Sequence, residues 1–483
     1  MSTSAKVTAR QRIENLLDDN SFVEIGAYVK ARNTDFNIQA KDTPSDGVIT
    51  GYGVINGGLV YVYSQDASVL GGSVGEMHAK KIASLYDMAM KTGSPVIGLI
   101  DSTGLRLQES VDGLNAFGQI YMKQSLASGV IPTITAIFGN CGGGLSIVAG
   151  LSDFTFMEVE NAQLFVNSPN AITENRKEIC DNASAKFQSE EAGNVDFVGT
   201  EAEVIEGIRN LVSVLPSNNE DEASDLECYD DLNRAAEGIE NCGEDTLLAL
   251  ENISDDGFII EAKRNYAPEM VTAFIKLNGA TVGAVANRTK VYDDDMNVAA
   301  EFDAKLTAKG CNKAAEFVNF CDAFNIPVLT LTNVNGFAAT MCQEKNGAKA
   351  SSKLVYAFAN ATVPKVNLII GDAIGSAYVT MNSKATGADI VYAWPTAKVG
   401  MMEAKSAVEI MYADEIANGD ANQVINEKVA EYQNLQGSVI AAAARGYVDS
   451  IVEPVDTRKY LIGAFEMLYT KFEERPGKKH GTV

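Results

Sequence analysis

Two glycine-rich turns carry the clearest chemical potential in this chain. The first, residues 139–144 (GNCGGG), follows the apolar run 131–138, and the second, residues 371–377 (GDAIGSA), follows a similar run. Glycine lets the backbone approach a ligand closely and direct N–H groups at it. A helix that begins at such a turn adds positive potential there. The two turns therefore predict two sites that stabilise anions.

These turns have three possible roles: phosphate binding, close packing, and stabilisation of an oxyanion. Neither turn contains the lysine of the phosphate loop GxxxxGK[ST], and neither fits GxGxxG with a downstream acidic residue, so the common nucleotide-binding motifs are not matched. Glycines that serve only close packing are a second interpretation. The third is an oxyanion hole, in which each preorganised donor contributes on the order of 2.7–4 kcal/mol at a developing enolate or tetrahedral oxygen.

Histidine is nearly missing from the sequence, which restricts side-chain catalysis. Only His78 and His480 are present, and His480 lies in the polar C-terminal tail. We interpret His78, near the start of a predicted helix, as a polar or packing residue rather than a base. A Ser-His-Asp protease and most zinc sites need imidazole, so the sequence predicts neither. The seven cysteines form no CxxC pair, and no metal site is predicted.

Charge and hydropathy exclude several classes of partner. The chain has 39 basic and 64 acidic residues, a formal net charge of −25, which repels nucleic acid and anionic lipid. No apolar run approaches the roughly 18 residues that a membrane-spanning helix needs. The N-terminus has no apolar core followed by a small-residue cleavage site. We therefore expect a cytoplasmic protein without nucleic acid and without direct membrane insertion.

An internal repeat shows which elements must hold the turns. Residues 93–109 resemble 325–344, residues 127–150 resemble 359–382, and corresponding prolines and glycines are displaced by 232 residues. These displaced pairs are Pro95 and Pro327, Pro132 and Pro364, Gly104 and Gly336, and Gly139 and Gly371. The hairpin signals at 56–57 and 278–279 differ by only 222, so the second copy has about ten extra residues in between.

Helical patterns at 76–91 and 304–324 alternate with apolar strands, which predicts an α/β fold built from repeated crossover units. The acidic segment 216–232 has seven carboxylates and no basic residue, and we interpret it as a solvated linker. It divides the chain into predicted domains 1–232 and 233–483.

Several segments resemble the carboxyltransferase subunits of biotin-dependent acyl-CoA carboxylases and decarboxylases, such as the propionyl-CoA carboxylase β chain and the methylmalonyl-CoA decarboxylase α chain. The resemblance runs nearly end to end and implies two tandem crotonase-like domains. It is carried by TARQRI (8–13), GYGVINGGLVYVYSQDASVLGGSVGEMHAKKI (51–82), PVIGLIDSTGLRLQE (95–109), GNCGGG (139–144), FCDAFNIPVLTLTNVNGF (320–337), ATVPK (361–365) and YAWPTA (392–397).

The resemblance also implies site residues. The amides of Gly143 and Gly144 would hold the thioester carbonyl of an acyl-CoA, and those of Ser376 and Ala377 would hold the ureido oxygen of biotin. One hole for an enolate and one for a ureido anion allow carboxyl exchange without a side-chain base. Residues implied to line the substrate are Gly142, Gly104, Arg106, Gly375, Tyr378 and Val379. Arg106 has two open interpretations, a contact to a CoA phosphate or carboxylate and a structural ion pair.

The sequence departs from the family pattern in three segments, one of which contains the second turn. The family reads DSGGAR where residues 101–106 read DSTGLR, and PGF where residues 335–337 read NGF. It reads RKAYGGAYD where residues 371–379 read GDAIGSAYV. Serine in place of glycine still donates a backbone N–H. Val379 replaces the Asp that is typical of propionyl-CoA carboxylases, which leaves the acyl group open.

The resemblance implies partners as well as a site. Residues 89–92 (AMKT) resemble the AMKM of a biotinylated carrier, but they end a predicted amphipathic helix. We therefore expect biotin on a separate biotin carboxyl carrier protein, together with a biotin carboxylase or a membrane decarboxylase subunit, and a homo-hexamer or similar homo-oligomer. Two alternatives are a biotin-independent crotonase-type hydratase or isomerase, and a catalytically silent scaffold subunit. A carboxylate pair in a single-domain chain would favour the first, and the altered second turn favours the scaffold.

Overall fold

The computed structural model describes residues 7–34, 42–221, 228–293 and 295–478. The chain divides into two compact units, residues 1–224 and 225–483. This division lies inside the predicted acidic linker, 216–232, of which residues 222–227 lie outside the described residues. His480 also lies outside them.

The first unit is an α/β domain with one eight-stranded sheet. Its strands are β1 (Val23–Ile25), β2 (Val48–Ile55), β3 (Gly58–Gln65), β4 (Val96–Ser102), β5 (Thr133–Gly142), β6 (Phe154–Glu158), β7 (Gln163–Phe165) and β8 (Phe197–Gly199). Its helices are α1 (Ala9–Leu16), α2 (Glu76–Thr92), α3 (Ser110–Ala127), α4 (Gly144–Gly150), α5 (Ala185–Phe187) and α6 (Glu201–Val212). The sheet order is β1-β2-β3-β4-β5-β6-β8, and β7 also pairs with β5. The pairs β1–β2 and β2–β3 are antiparallel, and the other pairs are parallel.

The second unit repeats this plan. Its strands are β9 (Ile259–Ala262), β10 (Met270–Leu277), β11 (Ala280–Asn287), β12 (Lys290–Tyr292), β13 (Val298–Glu301), β14 (Val328–Val334), β15 (Lys365–Ile374), β16 (Ile390–Ala393), β17 (Lys398–Gly400) and β18 (Ser450–Ile451). Its helices are α7 (Thr246–Ile253), α8 (Ala308–Ala323), α9 (Met341–Asn360), α10 (Gly375–Thr380), α11 (Ala404–Met411), α12 (Ala413–Asn418), α13 (Ala421–Tyr432), α14 (Val439–Ala443) and α15 (Thr457–Leu468). The order β9-β10-β11-β14-β15-β16-β18, with β17 on β15, matches the first sheet strand for strand.

The two units differ between the third strand and the following helix. Ten residues, 66–75, separate β3 from α2, whereas twenty, 288–307, separate β11 from α8. The extra residues belong to a segment that forms the separate two-stranded sheet β12–β13. This insertion accounts for the change of the repeat offset from 222 to 232.

The helices form where the sequence predicts them, with one shifted start. Helix α2 packs an apolar face that includes Ile82, Leu85 and Tyr86 against the sheet, and it ends at Gly93 in the left-handed conformation (φ 60°, ψ 51°). Helix α8 begins at Ala308 rather than at the predicted residue 304. Thr307 caps it by accepting a hydrogen bond from the amide of Gly310, and residues 304–306 are extended along the chain at 335–338.

The central parallel strands place the glycine turns at one edge of each sheet. All seven residues of β4 are buried, as expected for a strand covered by helices on both faces. Strand β5 ends at Gly142 and α4 begins at Gly144, while β15 ends at Ile374 and α10 begins at Gly375. Both turns therefore lie at the carboxyl end of the corresponding central strand, where open parallel sheets bind ligands.

Candidate active sites

In the first glycine turn, the amide of Gly143 is hydrogen-bonded within the protein. Gly143 has φ 59° and ψ −125°, and its N–H donates to the carbonyl of Phe165 at 2.9 Å. That amide is therefore already used by the pairing of this turn with the chain after β7. Gly144 is the first residue of α4, and the first N–H groups of a helix lack an acceptor within the helix.

The second turn has the same construction. Gly375 has φ 69°, and Ser376 and Ala377 follow it in the first turn of α10. At the offset of 232 residues, Gly375 corresponds to Gly143, and Ser376 to Gly144. The pair Ser376 and Ala377 thus has Gly144 and Leu145 as its structural counterpart, not the predicted Gly143 and Gly144. Gly143 supplies the positive φ that reverses the chain, rather than a free donor.

Close contacts explain why glycine is needed in the first turn. A Cβ atom on Gly144 would lie 2.8 Å from the hydroxyl oxygen of Tyr121, which donates to the Gly144 carbonyl at 2.7 Å. A Cβ atom on Gly142 would lie 2.6 Å from the ring of Phe165. Packing and backbone access are therefore two uses of the same glycines.

Gly104 lies in the loop that follows strand β4, beside the first glycine turn. Its φ is 94°, its N–H donates to the hydroxyl of Ser102 at 3.1 Å, and its carbonyl accepts from the amide of Val74 at 2.8 Å. A Cβ atom on Gly104 would point to the carbonyl oxygen of Gly142 at 3.7 Å. The structure thus brings together Gly104, Gly142 and Gly144 at one sheet edge.

Arg106 does not join this group, and the structure corrects its predicted role. Its side chain is 1% exposed and forms ion pairs with Asp46 at 2.6 Å and Glu109 at 2.8 Å. Nε donates to the Ser73 hydroxyl, and Nη2 donates to the carbonyls of Ser73 and Asp46. These contacts occupy the five donors of the guanidinium. Arg106 therefore forms structural ion pairs, and no N–H donor of its guanidinium remains for a CoA phosphate or a substrate carboxylate.

His78 is a packing residue, as predicted. It is completely buried, its Nδ1 bonds to the carbonyl of Asp46 at 3.0 Å, and its Nε2 lies 3.2 Å from the amide nitrogen of Gln65. Burial and the nearby guanidinium of Arg106 lower the pKa of His78 to about 3. The neutral imidazole can donate at one nitrogen and accept at the other, which matches these two partners.

Tyr378 and Val379 follow the second turn on α10 and point to different environments. Tyr378 is buried, which raises the pKa of its hydroxyl to about 12 and keeps it protonated. Val379 is 40% exposed. A cavity of about 260 Å³ is lined by residues that include Asp372 and Ile374 of β15 together with Tyr432 and Gln433.

Two polar residues near the second turn are not among the predicted site residues. Lys305 donates from Nζ to the carbonyl of Asn335 at 3.0 Å. The side-chain oxygen of Asn335 is enclosed and has no hydrogen-bond partner among the described residues. Alignment of the two repeat copies could have drawn attention to Lys305, because the equivalent position in the first copy is the uncharged Ser73.

Within the described ranges, no group of three or more His, Cys, Asp or Glu side chains is arranged to hold a metal ion. In the same part of the chain, no helix is both long enough and apolar enough to cross a membrane.

Comparison with known proteins gives matches along the whole chain. Residues 2–483 match the family model described as the carboxyl transferase domain. The chain is 39% identical to the methylmalonyl-CoA decarboxylase subunit alpha of Propionigenium modestum, over 99% of this chain and 93% of that protein. It is also 39% identical to the propionyl-CoA carboxylase beta chain of Roseobacter denitrificans, over 99% of this chain and 94% of that protein.

A solved structure agrees with the fold. Transcarboxylase 12S, described as a hexamer assembly with hydrolysed methylmalonyl-coenzyme A bound, matches with a TM-score of 0.91 at 38% identity. The match covers 98% of this chain and 92% of that chain. The predicted α/β class with two crotonase-like domains is confirmed, as is the family resemblance carried by the sequence motifs.

Proposed function

Because the chain belongs to the carboxyl transferase family, we propose that it is the carboxyltransferase component of a biotin-dependent system. It moves a carboxyl group between biotin on a partner carrier and the α-carbon of a short acyl-CoA, such as propionyl-CoA or methylmalonyl-CoA. The observation that carries this proposal is the repeated turn, in which a positive-φ glycine, Gly143 or Gly375, precedes the amides at the start of a short helix.

The first turn serves the acyl-CoA. Removal of a proton or of CO2 from the α-carbon places negative charge on the thioester oxygen, which becomes an enolate. The amides of Gly144 and Leu145 are the donors for this oxygen. Gly104 leaves room beside them, because the only heavy atom near the position of its missing Cβ is the carbonyl oxygen of Gly142, at 3.7 Å. Preorganised donors of this kind stabilise the enolate more than the ground state.

The second turn serves biotin, and the residues present fit that group. A ureido ring offers one carbonyl oxygen that accepts hydrogen bonds and nitrogen positions that donate them. The amides of Ser376 and Ala377 are donors for the oxygen, and the unpartnered side-chain oxygen of Asn335 is an acceptor nearby. When bound, biotin supplies the carboxyl group and, in its ureido ring, the acceptor for the α-proton. No side-chain base is then required, which agrees with the buried neutral state of His78.

The partners follow from the same proposal. A biotin carboxyl carrier protein presents the biotin, and a biotin carboxylase or a membrane decarboxylase subunit sets the direction of net carboxyl transfer. The same turns serve both directions, because the enolate is common to carboxylation and decarboxylation. Transcarboxylase 12S is described as a hexamer assembly, and we propose a homo-hexamer for this chain, in the cytoplasm.

The deciding experiment is decarboxylation of malonyl-, methylmalonyl- and glutaconyl-CoA by the purified protein, with and without millimolar free biotin. We expect loss of CO2 from at least one substrate only when biotin is present, with the acyl-CoA product identified by mass spectrometry. Turnover that ignores biotin would contradict the two-turn mechanism. Absence of turnover with all three, beside an active reference enzyme, would favour a silent scaffold subunit.

A further inference from the structure

Lys305 lies in an extended segment along the turn that follows β14. The amide of Asn335 donates to the carbonyl of Ala304 at 2.8 Å, and the amide of Leu306 donates to the carbonyl of Gly336 at 2.9 Å. Lys305 stands between these two contacts. Its Nζ bonds to the carbonyl of Asn335 at 3.0 Å, and a Cβ atom on Gly336 would lie 3.3 Å from the same nitrogen.

The sheet register places this turn beside the second glycine turn. Strands β14 and β15 are parallel neighbours, and their last pair is Val334 with Ala373. The next residues on one strand are Asn335 and Gly336, and on the other Ile374 and Gly375. Neighbouring strands lie about 4.8 Å apart. Lys305 is therefore at the sheet edge where α10 begins.

Lys305 keeps donors for a ligand. An ammonium group has three N–H donors, and the bond to the Asn335 carbonyl uses one of them. Within the described ranges, no carboxylate forms an ion pair with Lys305, although the chain carries a net charge of −25. In the first unit, the equivalent Ser73 donates to the carbonyl of Leu70 at 2.7 Å and accepts from Arg106. The fold therefore does not require a cation at this position.

Asn335 supplies an independent observation. Its side-chain oxygen is enclosed by the protein, yet no described group donates to it. Buried polar atoms are almost always hydrogen-bonded, so this oxygen is an acceptor that a donor on a bound ligand would satisfy. A cation with spare donors thus lies against the turn that holds an acceptor without a donor among the described residues, beside the amides of Ser376 and Ala377.

We propose that Lys305 and Asn335 recognise the carboxylated form of biotin. Lys305 binds the transferable carboxylate, and the side-chain oxygen of Asn335 accepts from the ureido N–H that carries no carboxyl group. This proposal rests on the proposed function and deepens it, because it assigns to this chain a pair that distinguishes carboxylated from plain biotin.

Direct binding tests the pair without relying on turnover. The probes are biotin methyl ester and N-carboxybiotin methyl ester, which lack the side-chain carboxylate, and their affinities for the intact protein are measured by calorimetric titration. We expect Lys305→Met to weaken binding of the carboxylated probe about tenfold or more, with plain biotin ester changed less than about twofold. Lys305→Arg keeps the charge and should stay within about threefold of the unmodified protein. Lys353→Met, on the exposed face of α9, is the matched control.

Asn335→Leu tests the second part of the proposal, that the side-chain oxygen of Asn335 accepts from the ureido N–H. We expect it to weaken both probes by a similar factor, since both carry the ureido N–H. Equal affinity of the unmodified protein and Lys305→Met for the carboxylated probe would overturn the assignment of Lys305, provided that the unmodified protein binds it. Failure of the unmodified protein to bind either probe, together with no biotin-dependent turnover, would instead reject the proposed function. Unchanged melting curves of the variants exclude misfolding as the cause.

Discussion

Lys313 occupies in the second unit the position that Lys81 occupies in the first, 232 residues earlier. Lys81 Nζ donates to the carbonyls of Ser45 and Val48, and Lys313 Nζ donates to those of Lys263, Tyr266 and Ala267. Ser45 and Ala267 correspond at the earlier offset of 222, and both have positive φ, 53° and 44°. In each unit, a buried lysine at the equivalent position therefore holds the loop with positive φ that precedes the strand, β2 in the first unit and β10 in the second.

We expect each of these lysines to stabilise its own unit. Lys313→Met would leave buried carbonyls without a donor and should lower the free energy of unfolding by about 1–3 kcal/mol. Lys81→Met should act in the same direction on the first unit. Differential scanning calorimetry measures both, with Lys353→Met as the control on an exposed surface. Melting curves identical to those of the unmodified protein would show that the loops need no donor.

Arg106 provides a test that separates structure from substrate binding. Its removal in Arg106→Met would leave the carboxylates of Asp46 and Glu109 buried without a counter-charge. Breaking a buried ion pair by removal of one partner costs about 3–5 kcal/mol. We expect a strong loss of stability in urea unfolding, and an unchanged KM for acyl-CoA in the protein that remains folded. A raised KM at unchanged stability would restore the substrate-binding role that the sequence suggests.

Repeated residue spacing predicts part of this fold and of its site, whereas the remainder depends on contacts between residues that are distant in sequence. The alternation of strands with helices and both turns could be predicted, because the repeat offset preserves prolines and glycines that strand ends require. The role of Gly143 could not, since three consecutive glycines do not show which one takes the positive φ. Arg106 was ambiguous because its partner Asp46 lies 60 residues away in sequence. Lys305 was missed because its meaning depends on the pairing of residues 304–306 with the turn at 335–338.

The lowered pKa of His78 makes the free energy of unfolding depend on pH. Its pKa is about 3 in the folded protein, against 6.5 when unfolded. Between these values the unfolded chain binds a proton that the folded protein does not, so the contribution of His78 to stability is present above pH 6.5 and is lost as pH falls toward 3. The loss per pH unit is about 1.4 kcal/mol for one group. His78→Gln removes this term, so its unfolding free energy should fall less than that of the unmodified protein on acidification. Parallel pH profiles for the two proteins would contradict it.

The role of the first turn can be tested by adding a methyl group at Gly144 and then removing the hydroxyl that it would meet. Gly144→Ala places a Cβ atom against the hydroxyl of Tyr121, at 2.8 Å in the present geometry. This must displace either the tyrosine or the amide that serves the enolate. We expect kcat/KM for the acyl-CoA to fall about tenfold or more. Gly144→Ala combined with Tyr121→Phe removes the clashing oxygen and should recover part of the loss.

No recovery in the double variant would mean that the ring of Phe117, 3.3 Å from the same Cβ position, also constrains the turn. Full activity of the single variant would show that the amide of Gly144 is not a donor in the reaction. Tyr121→Phe alone is the control for the lost bond between its hydroxyl and the Gly144 carbonyl.

The second turn permits removal of one backbone donor with little change of shape. Ser376 lies in the first turn of α10, where its N–H has no acceptor within the helix and where proline is tolerated. Ser376→Pro therefore deletes the amide, whereas Ser376→Ala keeps the amide and deletes only the exposed hydroxyl. Loss of one donor of an oxyanion hole lowers kcat by about 10²–10³, and we expect this loss in Ser376→Pro with activity near normal in Ser376→Ala. The readout is biotin-dependent decarboxylation of methylmalonyl-CoA. Because biotin carries the affected oxygen, the kinetic defect should appear at saturating acyl-CoA, and equal rates for the two variants would exclude the Ser376 amide from catalysis.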